Sequence, residues 1–287
     1  MEHQTEVSEF LRTRRERLTP EQVGIIGGGR RRVPGLRREE VAMLAGMSVD
    51  YVARMERGNL AGVSPELLGA LARALRLDEA ETAHLHDLAR AAAPVSPRRK
   101  PRGSVAVVPP TLNRFLDAVT ATPVWVRNTR MDYVAGNDLG RALFAPMLDD
   151  PASRGNNALW TFLSPAARLY YPDWEQGADS VVASLRSDAG RTPHDKGLTD
   201  LIGELVTRSD DFRQRWAKHD VRFHRVGTKR IHHPAVGDLE FDFEAFEMPG
   251  QPSLTMFAFT TRAGSPSEDR MRLLGSLAAT SELQPER

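Results

Sequence analysis

The chain has 287 residues, a formal net charge of +1, 40% apolar and 7% aromatic residues, and no cysteine. Its length suits two domains and its composition excludes wholesale disorder, while the lack of cysteine excludes disulfides, Cys-ligated zinc and thiol catalysis. No run of about 18 apolar residues offers a membrane span, and the acidic start from Met1 to Glu6 lacks the apolar segment of a signal peptide, so the expectation is a cytoplasmic protein without membrane insertion.

The near-zero charge hides a split. Residues 1–104 carry 18 basic and 14 acidic side chains, a net +4, and the remainder is −3. An electrostatic footprint for phosphate therefore belongs on the first part.

In chain order, 6–17 is predicted as a helix, with Val7, Phe10, Leu11 and Leu18 at helical spacing among Arg12, Arg14, Arg15 and Arg17. A loop with the glycine-rich stretch 24–29 and Arg30, Arg31 and Arg32 follows. A second helix begins near Arg37, with the stripe Val41, Leu44 and Ala45, and stops at Gly46. Ser48 is a good N-cap for a third helix over 49–57, carrying Val52 and Met55 on one face. Ser64-Pro65 opens a fourth helix, whose apolar positions are Leu67, Leu68, Leu71, Leu75 and Leu77, and Asp78 caps a fifth that runs to Ala92. The proline- and arginine-rich stretch 94–108 reads as a linker between domains at 1–93 and 109–287.

Beyond it the pattern mixes helix and strand. A helix at 110–119 precedes strands at 123–128 and 131–136, and Asn137 caps a helix to Phe144. A looser aromatic region with Trp160, Phe162, Tyr170, Tyr171 and Trp174 leads into two or three helices over 173–217. After Phe223 the period becomes two: 239–245 alternates apolar and acidic residues as a half-buried antiparallel strand does, with 253–261 as its partner and 266–279 as a closing helix.

The strongest local signal is the stretch 40–58. Two short helices can cross tightly where a small residue faces the partner (Ala42), a glycine makes the turn (Gly46) and a cap starts the second helix (Ser48), with Val41, Leu44, Val52 and Met55 buried at the crossing. The start of the second helix is then free to enter the major groove. Arg54 can pair bidentately with guanine, Val49 can touch a thymine methyl, and Asp50 can accept from cytosine or orient an arginine. Tyr51 can reach a phosphate or support its neighbours. Arg30, Arg31 and Arg32 are either a solvated charge run or a phosphate or minor-groove contact, and Arg37 is a further candidate.

This stretch, down to Glu56-Arg57-Gly58, resembles the Cro and phage-repressor (XRE) class of helix-turn-helix proteins. By that resemblance Ser48, Val49, Asp50 and Arg54 sit where base edges are read, and Arg38 sits at a backbone or flanking contact. The similarity continues through Arg31-Arg32-Val33-Pro34-Gly35-Leu36-Arg37-Arg38, Leu169-Tyr170-Tyr171-Pro172-Asp173-Trp174, Trp216-Ala217-Lys218-His219-Asp220-Val221-Arg222 and His232-His233-Pro234-Ala235-Val236-Gly237-Asp238-Leu239, which resemble the MmyB-like regulators. The resemblance implies an all-α five-helix DNA-binding domain followed by an α+β, PAS-like domain with an antiparallel sheet that takes a fatty acid or similar apolar ligand. One departure is Gly136, where relatives tend to carry an aromatic before the capping Asn137.

Physics alone admits two readings of the second domain. Leu239, Phe241 and Phe243, with Met256 or Phe257 on the neighbouring strand, can line a cavity in a sheet with helices on one face, or simply fill a core. Trp125, Phe144, Trp160 and Phe162 carry the same ambiguity. Arg222 and His224 can hold a carboxylate head group or form a network with Asp220. A homodimer on a double-stranded operator is the expected assembly, and no cofactor is expected beyond a bound apolar ligand. An enzyme reading finds no support: the glycine-rich stretch 24–29 meets neither phosphate-loop fingerprint, His84 and His86 face different ways on a helix, His232 and His233 point to opposite sides of a strand, and no nucleophile elbow occurs.

Overall fold

The structure, a computed structural model, describes residues 2–25, 35–92, 108–220 and 226–282. The expected contacts Arg30, Arg31, Arg32, Arg222 and His224, and all of the expected linker except Val108, lie outside the described residues. The chain divides into two compact units: residues 1–100 with 186–195 and 216–223, and residues 101–185 with 196–215 and 224–287.

The first unit holds five helices: α1 (Glu2–Arg17), α2 (Arg38–Ala45), α3 (Val49–Glu56), α4 (Pro65–Ala74) and α5 (Glu79–Ala92). One core joins them, with Phe10 of α1, Val41 and Ala42 of α2, Met55 of α3, Leu71 of α4 and Leu88 of α5 all buried. The first helix starts at Glu2, earlier than its apolar stripe suggests; His3 Nε2 lies 3.0 Å from the Leu88 carbonyl, a contact no local pattern encodes. Gly46, at φ 65°, ends α2 in the left-handed region that favours glycine. Leu44, expected from its spacing to be buried at the α2–α3 crossing, is instead 37% exposed. The buried row is Val41, Ala42 and Ala45, whose small members let the helices approach; Leu44 lies on the flank beside Met43.

Buried charge of both signs braces this unit. Glu56 accepts from Arg15 at 2.6 Å and also from Arg38, and Arg15 donates further to the Leu36 carbonyl at 2.8 Å. Arg14 faces Glu81 at 2.7 Å. Arg186, whose side chain is 0% exposed, pairs with Glu6, and its Nη1 lies 2.9 Å from His219 Nδ1. His219 also meets Glu9 at 2.6 Å, and buried His84 stands 3.8 Å from Glu6. Burial alone would raise the Glu6 carboxyl, but His219, His84 and Arg186 hold it far below the usual carboxylate range. Burial lowers His84 against the pull of Glu6.

The second unit is built on a five-stranded, wholly antiparallel sheet: β1 (Val124–Asn128), β2 (Tyr133–Gly136), β3 (Val226–His233), β4 (Gly237–Glu247) and β5 (Leu254–Thr260), in the order β2-β1-β5-β4-β3. The helices of this half of the chain are α6 (Pro110–Ala118), α7 (Asp138–Leu148), α8 (Asn157–Leu163), α9 (Pro165–Tyr170), α10 (Trp174–Arg191), α11 (Lys196–Arg208), α12 (Asp210–Trp216) and α13 (Pro266–Glu282). The architecture is the expected PAS-like α+β domain. The predicted pairing of 239–245 with 253–261 holds, with Phe243 opposite Phe259 and Ala245 opposite Phe257. Along β4, Leu239 and Phe241 are buried while Glu240 and Asp242 are exposed.

Two features differ from expectation. The sheet is covered on both faces: Phe144 and Leu274 join the core over Phe241 and Phe259, while Leu116 of α6 packs with Val124, Val126 and Leu254 on the opposite face. All five residues of β1 are consequently buried. The looser aromatic region is ordered into α8 and α9. Asn156 caps α8, its Oδ1 accepting from the amides of Ala158 and Leu159 at 3.0 Å each, and Ser164 caps α9 ahead of Pro165. Those two caps were the available signals, obscured by the density of aromatic residues around them.

Candidate nucleic-acid interface and ligand-domain interior

Helix α3 begins with its side chains outward. Ser48 Oγ accepts from the Tyr51 amide at 3.2 Å, which satisfies one of the open N–H groups of the first turn. Ser48, Val49 and Asp50 are exposed, Tyr51 is half-buried and Arg54, one turn on, is exposed. Arg54 donates to the Ala61 carbonyl at 3.1 Å, and its guanidinium lies 5.7 Å from the Tyr51 ring centroid. These contacts fix the stem and leave other N–H groups of the fork free in direction, the geometry a bidentate base contact needs. Val52 and Met55 on the opposite side are buried and anchor the helix.

The other expected contacts divide. Arg37 is exposed at the start of α2, and its amide donates to Glu40 Oε2 at 2.6 Å. Arg38 is exposed but tied to Glu56, so its guanidinium is oriented by a carboxylate before any partner arrives. Arg14 and Arg15 are buried and serve the interior, so the positive count of the first part overstates the charge offered outward.

In the sheet unit the structure joins five of the expected ligand contacts into one aromatic set. Trp125 stacks on Phe144 at 4.7 Å and 19° and lies 5.9 Å from Phe257, which neighbours Phe243 at 6.3 Å; Phe259 links Phe144 at 5.4 Å with Phe241 at 5.2 Å. Phe259, not singled out from the sequence, is therefore the hub. Trp160 and Phe162 stand apart in the helical layer: Trp160 packs edge-on against Tyr170 and Tyr171, and Phe162 against Trp174 and Phe212. Met256 faces the other side of the sheet with the α6 cluster. Gly136 also finds its explanation. A Cβ there would stand 2.3 Å from the Tyr133 hydroxyl and 2.8 Å from the Val124 carbonyl, so the Tyr133 ring already fills the space a side chain at 136 would need.

Sequence reasoning passed over Lys229. In β3 the inward positions are Lys229, Ile231 and His233, as the pairing of Lys229 with Phe241 and of Ile231 with Leu239 requires. Its ammonium lies 4.2 Å from the Tyr171 ring centroid, and burial lowers it to about 8. The alternation of 226–233 held the signal, but only the strand register says which set points inward.

A cleft of about 610 Å³ in the first unit is bordered by His3, Asn59 and His194, and no expected contact lines it. Among the described residues no cluster of three His, Asp or Glu is placed to hold a metal ion, and no helix is long and apolar enough to cross a membrane.

Residues 108–274 match the family model described as MmyB-like transcription regulator ligand binding domain, and residues 6–85 match a helix-turn-helix domain model. No curated protein matches the chain.

Proposed function

The chain belongs to the MmyB-like transcription regulators, with a helix-turn-helix domain ahead of the family's ligand-binding domain, and from that premise we propose that it is a ligand-responsive DNA-binding regulator that reads the major groove with α3. Ser48, Val49, Asp50 and Arg54 meet base edges; Tyr51, Arg37 and Arg38 engage the backbone, with Arg30, Arg31 and Arg32 extending that footprint. The division of labour follows the chain, with residues 1–93 as the DNA-binding domain, 94–108 as linker and 109–287 as the ligand-binding and dimerising domain. The protein acts in the cytoplasm as a homodimer and works by binding, not catalysis.

The observation that carries the DNA reading is the capped, outward-facing first turn of α3 on a fully packed helical core. Selection of bound fragments from a random duplex pool tests it. The expected product is a repeat of two half-sites about 34 Å apart, one helical turn. Uniform recovery of all sequences overturns the reading.

The ligand is a fatty acid or a similar apolar molecule, held among Trp125, Phe144, Trp160, Phe162, Phe241, Phe243 and Phe257, with Arg222 and His224 as further contacts. Its binding stabilises one arrangement of the sensing domain and thereby changes operator affinity. Titration of the full chain with fatty acids, read as operator affinity at fixed salt, tests the coupling; ligands that bind and leave DNA affinity unchanged overturn it.

A second reading is favoured by the direct ring-on-ring packing of Trp125, Phe144, Phe259 and Phe241, which fills the interior with side chains. In it the second domain only dimerises or recruits a protein. Mass spectrometry of an organic extract of the purified protein separates the two: a stoichiometric lipid supports sensing.

A further inference from the structure

Buried cations normally stand opposite an anion, because removing a charge from water costs far more than a polar contact returns. Strand β3 carries two adjacent cations with different surroundings. Arg230, on the outward face, is bound to Asp173, its Nε 2.7 Å from Oδ2. Lys229, on the inward face, meets no carboxylate and no hydrogen-bond acceptor among the described residues, only the face of the Tyr171 ring. Burial brings its ammonium to about 8, so it is still mostly charged at neutral pH.

Its neighbours sharpen the anomaly. Tyr171 is 5% exposed and its hydroxyl has no hydrogen-bond partner among the described residues. Trp160, whose ring centroid lies 5.4 Å from that of Tyr171, is fully buried and its Nε1–H donates to no acceptor among the described residues. Buried hydroxyls and indole N–H groups are ordinarily paired. Here the ammonium lies over the Tyr171 ring and the Trp160 ring packs edge-on against that same ring, with Phe241 opposite Lys229 on the neighbouring strand and Tyr170 beside Trp160. Three donors without an acceptor fit an anion, and aromatic walls fit one attached to a hydrocarbon. Lys229 as a whole is half-buried and β3 is the last strand of the sheet, so the side chain stands at the rim of the sheet and not at its centre.

We propose that Lys229, assisted by the Tyr171 hydroxyl and the Trp160 indole N–H, binds the carboxylate head of an apolar ligand. This anchor rests on the ligand-sensing reading above and adds the side chain that selects a charged head over a neutral one. The aromatic set around Trp125 and Phe257 then serves the hydrocarbon part of the ligand, and Tyr171 contributes both a ring to the ammonium and a hydroxyl to the carboxylate.

The full chain is titrated with dodecanoate and with 1-dodecanol, which share a chain length and differ in charge. The wild type is expected to bind dodecanoate about tenfold more tightly, the worth of one charged hydrogen bond. Lys229→Met is expected to abolish that preference while dodecanol affinity stays within about twofold, since the methionine keeps length and apolar volume. Lys229→Arg is expected to restore part of the preference. An unchanged dodecanoate-to-dodecanol ratio in Lys229→Met overturns the anchor while the ligand-binding reading stands; failure of the wild type to bind either probe overturns both. A measurement on the unaltered protein guards against misfolding of the variants. Lys229 is one of only four lysines, so reductive methylation with peptide mapping resolves it. Dodecanoate is expected to slow labelling of Lys229 and leave Lys196 unchanged, and equal labelling of Lys229 with and without dodecanoate overturns the proposal.

Discussion

The helical unit and strand β3 of the sheet unit treat inward-facing cations in opposite ways. In the helical unit, Arg14, Arg15 and Arg186 each face a carboxylate, from Glu81, Glu56 and Glu6 respectively. In the sheet unit, Lys229 faces an aromatic ring and no carboxylate among the described residues. A buried cation matched from within belongs to the scaffold, because neither water nor a partner reaches it; exposed Arg38, also paired with Glu56, is a different case. A cation left unmatched stores an electrostatic cost that an incoming anion relieves. The contrast separates structural arginines from a recognition lysine more reliably than counting basic residues, which had credited Arg14 and Arg15 to the phosphate footprint.

The contrast is broken most directly at Glu6. Glu6→Gln leaves Arg186 buried beside a neutral amide and is expected to destabilise the protein by about 3 kcal/mol, read by urea unfolding. A loss below about 0.5 kcal/mol would mean that water, not Glu6, balances that guanidinium. Next in size, Arg54→Ala is expected to weaken binding to the selected operator by about 2 kcal/mol and to leave binding to unrelated duplex nearly unchanged, read by fluorescence anisotropy. Equal weakening on both would assign Arg54 to phosphate. Lys229→Met is expected to behave oppositely to Glu6→Gln, raising the stability of ligand-free protein by about 1 kcal/mol as an unmatched cation is removed. Destabilisation would show that Lys229 is a structural member after all.

The gentlest effect is that of pH. His84 is lowered in the folded state, so folding favours its neutral form: that stability is complete above the ordinary imidazole value and declines as pH falls below about 6.5. Glu6 is lowered too, so its contribution is complete above the ordinary carboxylate value and is lost on further acidification below about 4.3. Urea midpoints measured from pH 7 to pH 2 are expected to fall in two stages, and His84→Phe to flatten the first.

Much of this was legible because it is local. Ser48 as a cap, Gly46 as a turn and Pro65 at the start of α4 obey rules that reach only three or four residues along the chain, and the apolar–acidic alternation at 239–245 fixes a strand face without knowledge of its partner. What escaped depends on contacts distant in sequence. Leu44 fits the helical stripe, but the smallness of Ala42 and Ala45 decides which row packs. The inward aim of Lys229 follows from the β3–β4 register, and its meaning from Tyr171, 58 positions earlier. Coverage of the second sheet face depends on where α6 returns, which its own amphipathic pattern does not state.

The collision at Gly136 bears on how this domain can diverge. The volume beside the Val124 carbonyl is filled by the ring of Tyr133, and a ring borne on 136 would claim the same place. The two sites therefore behave as a single occupancy served from either of two backbone positions. Exchange between them needs paired substitution: enlarging 136 first overfills the space, and trimming Tyr133 first hollows it. A chain with the bulk at 136 would thus be separated from this one by a packing barrier.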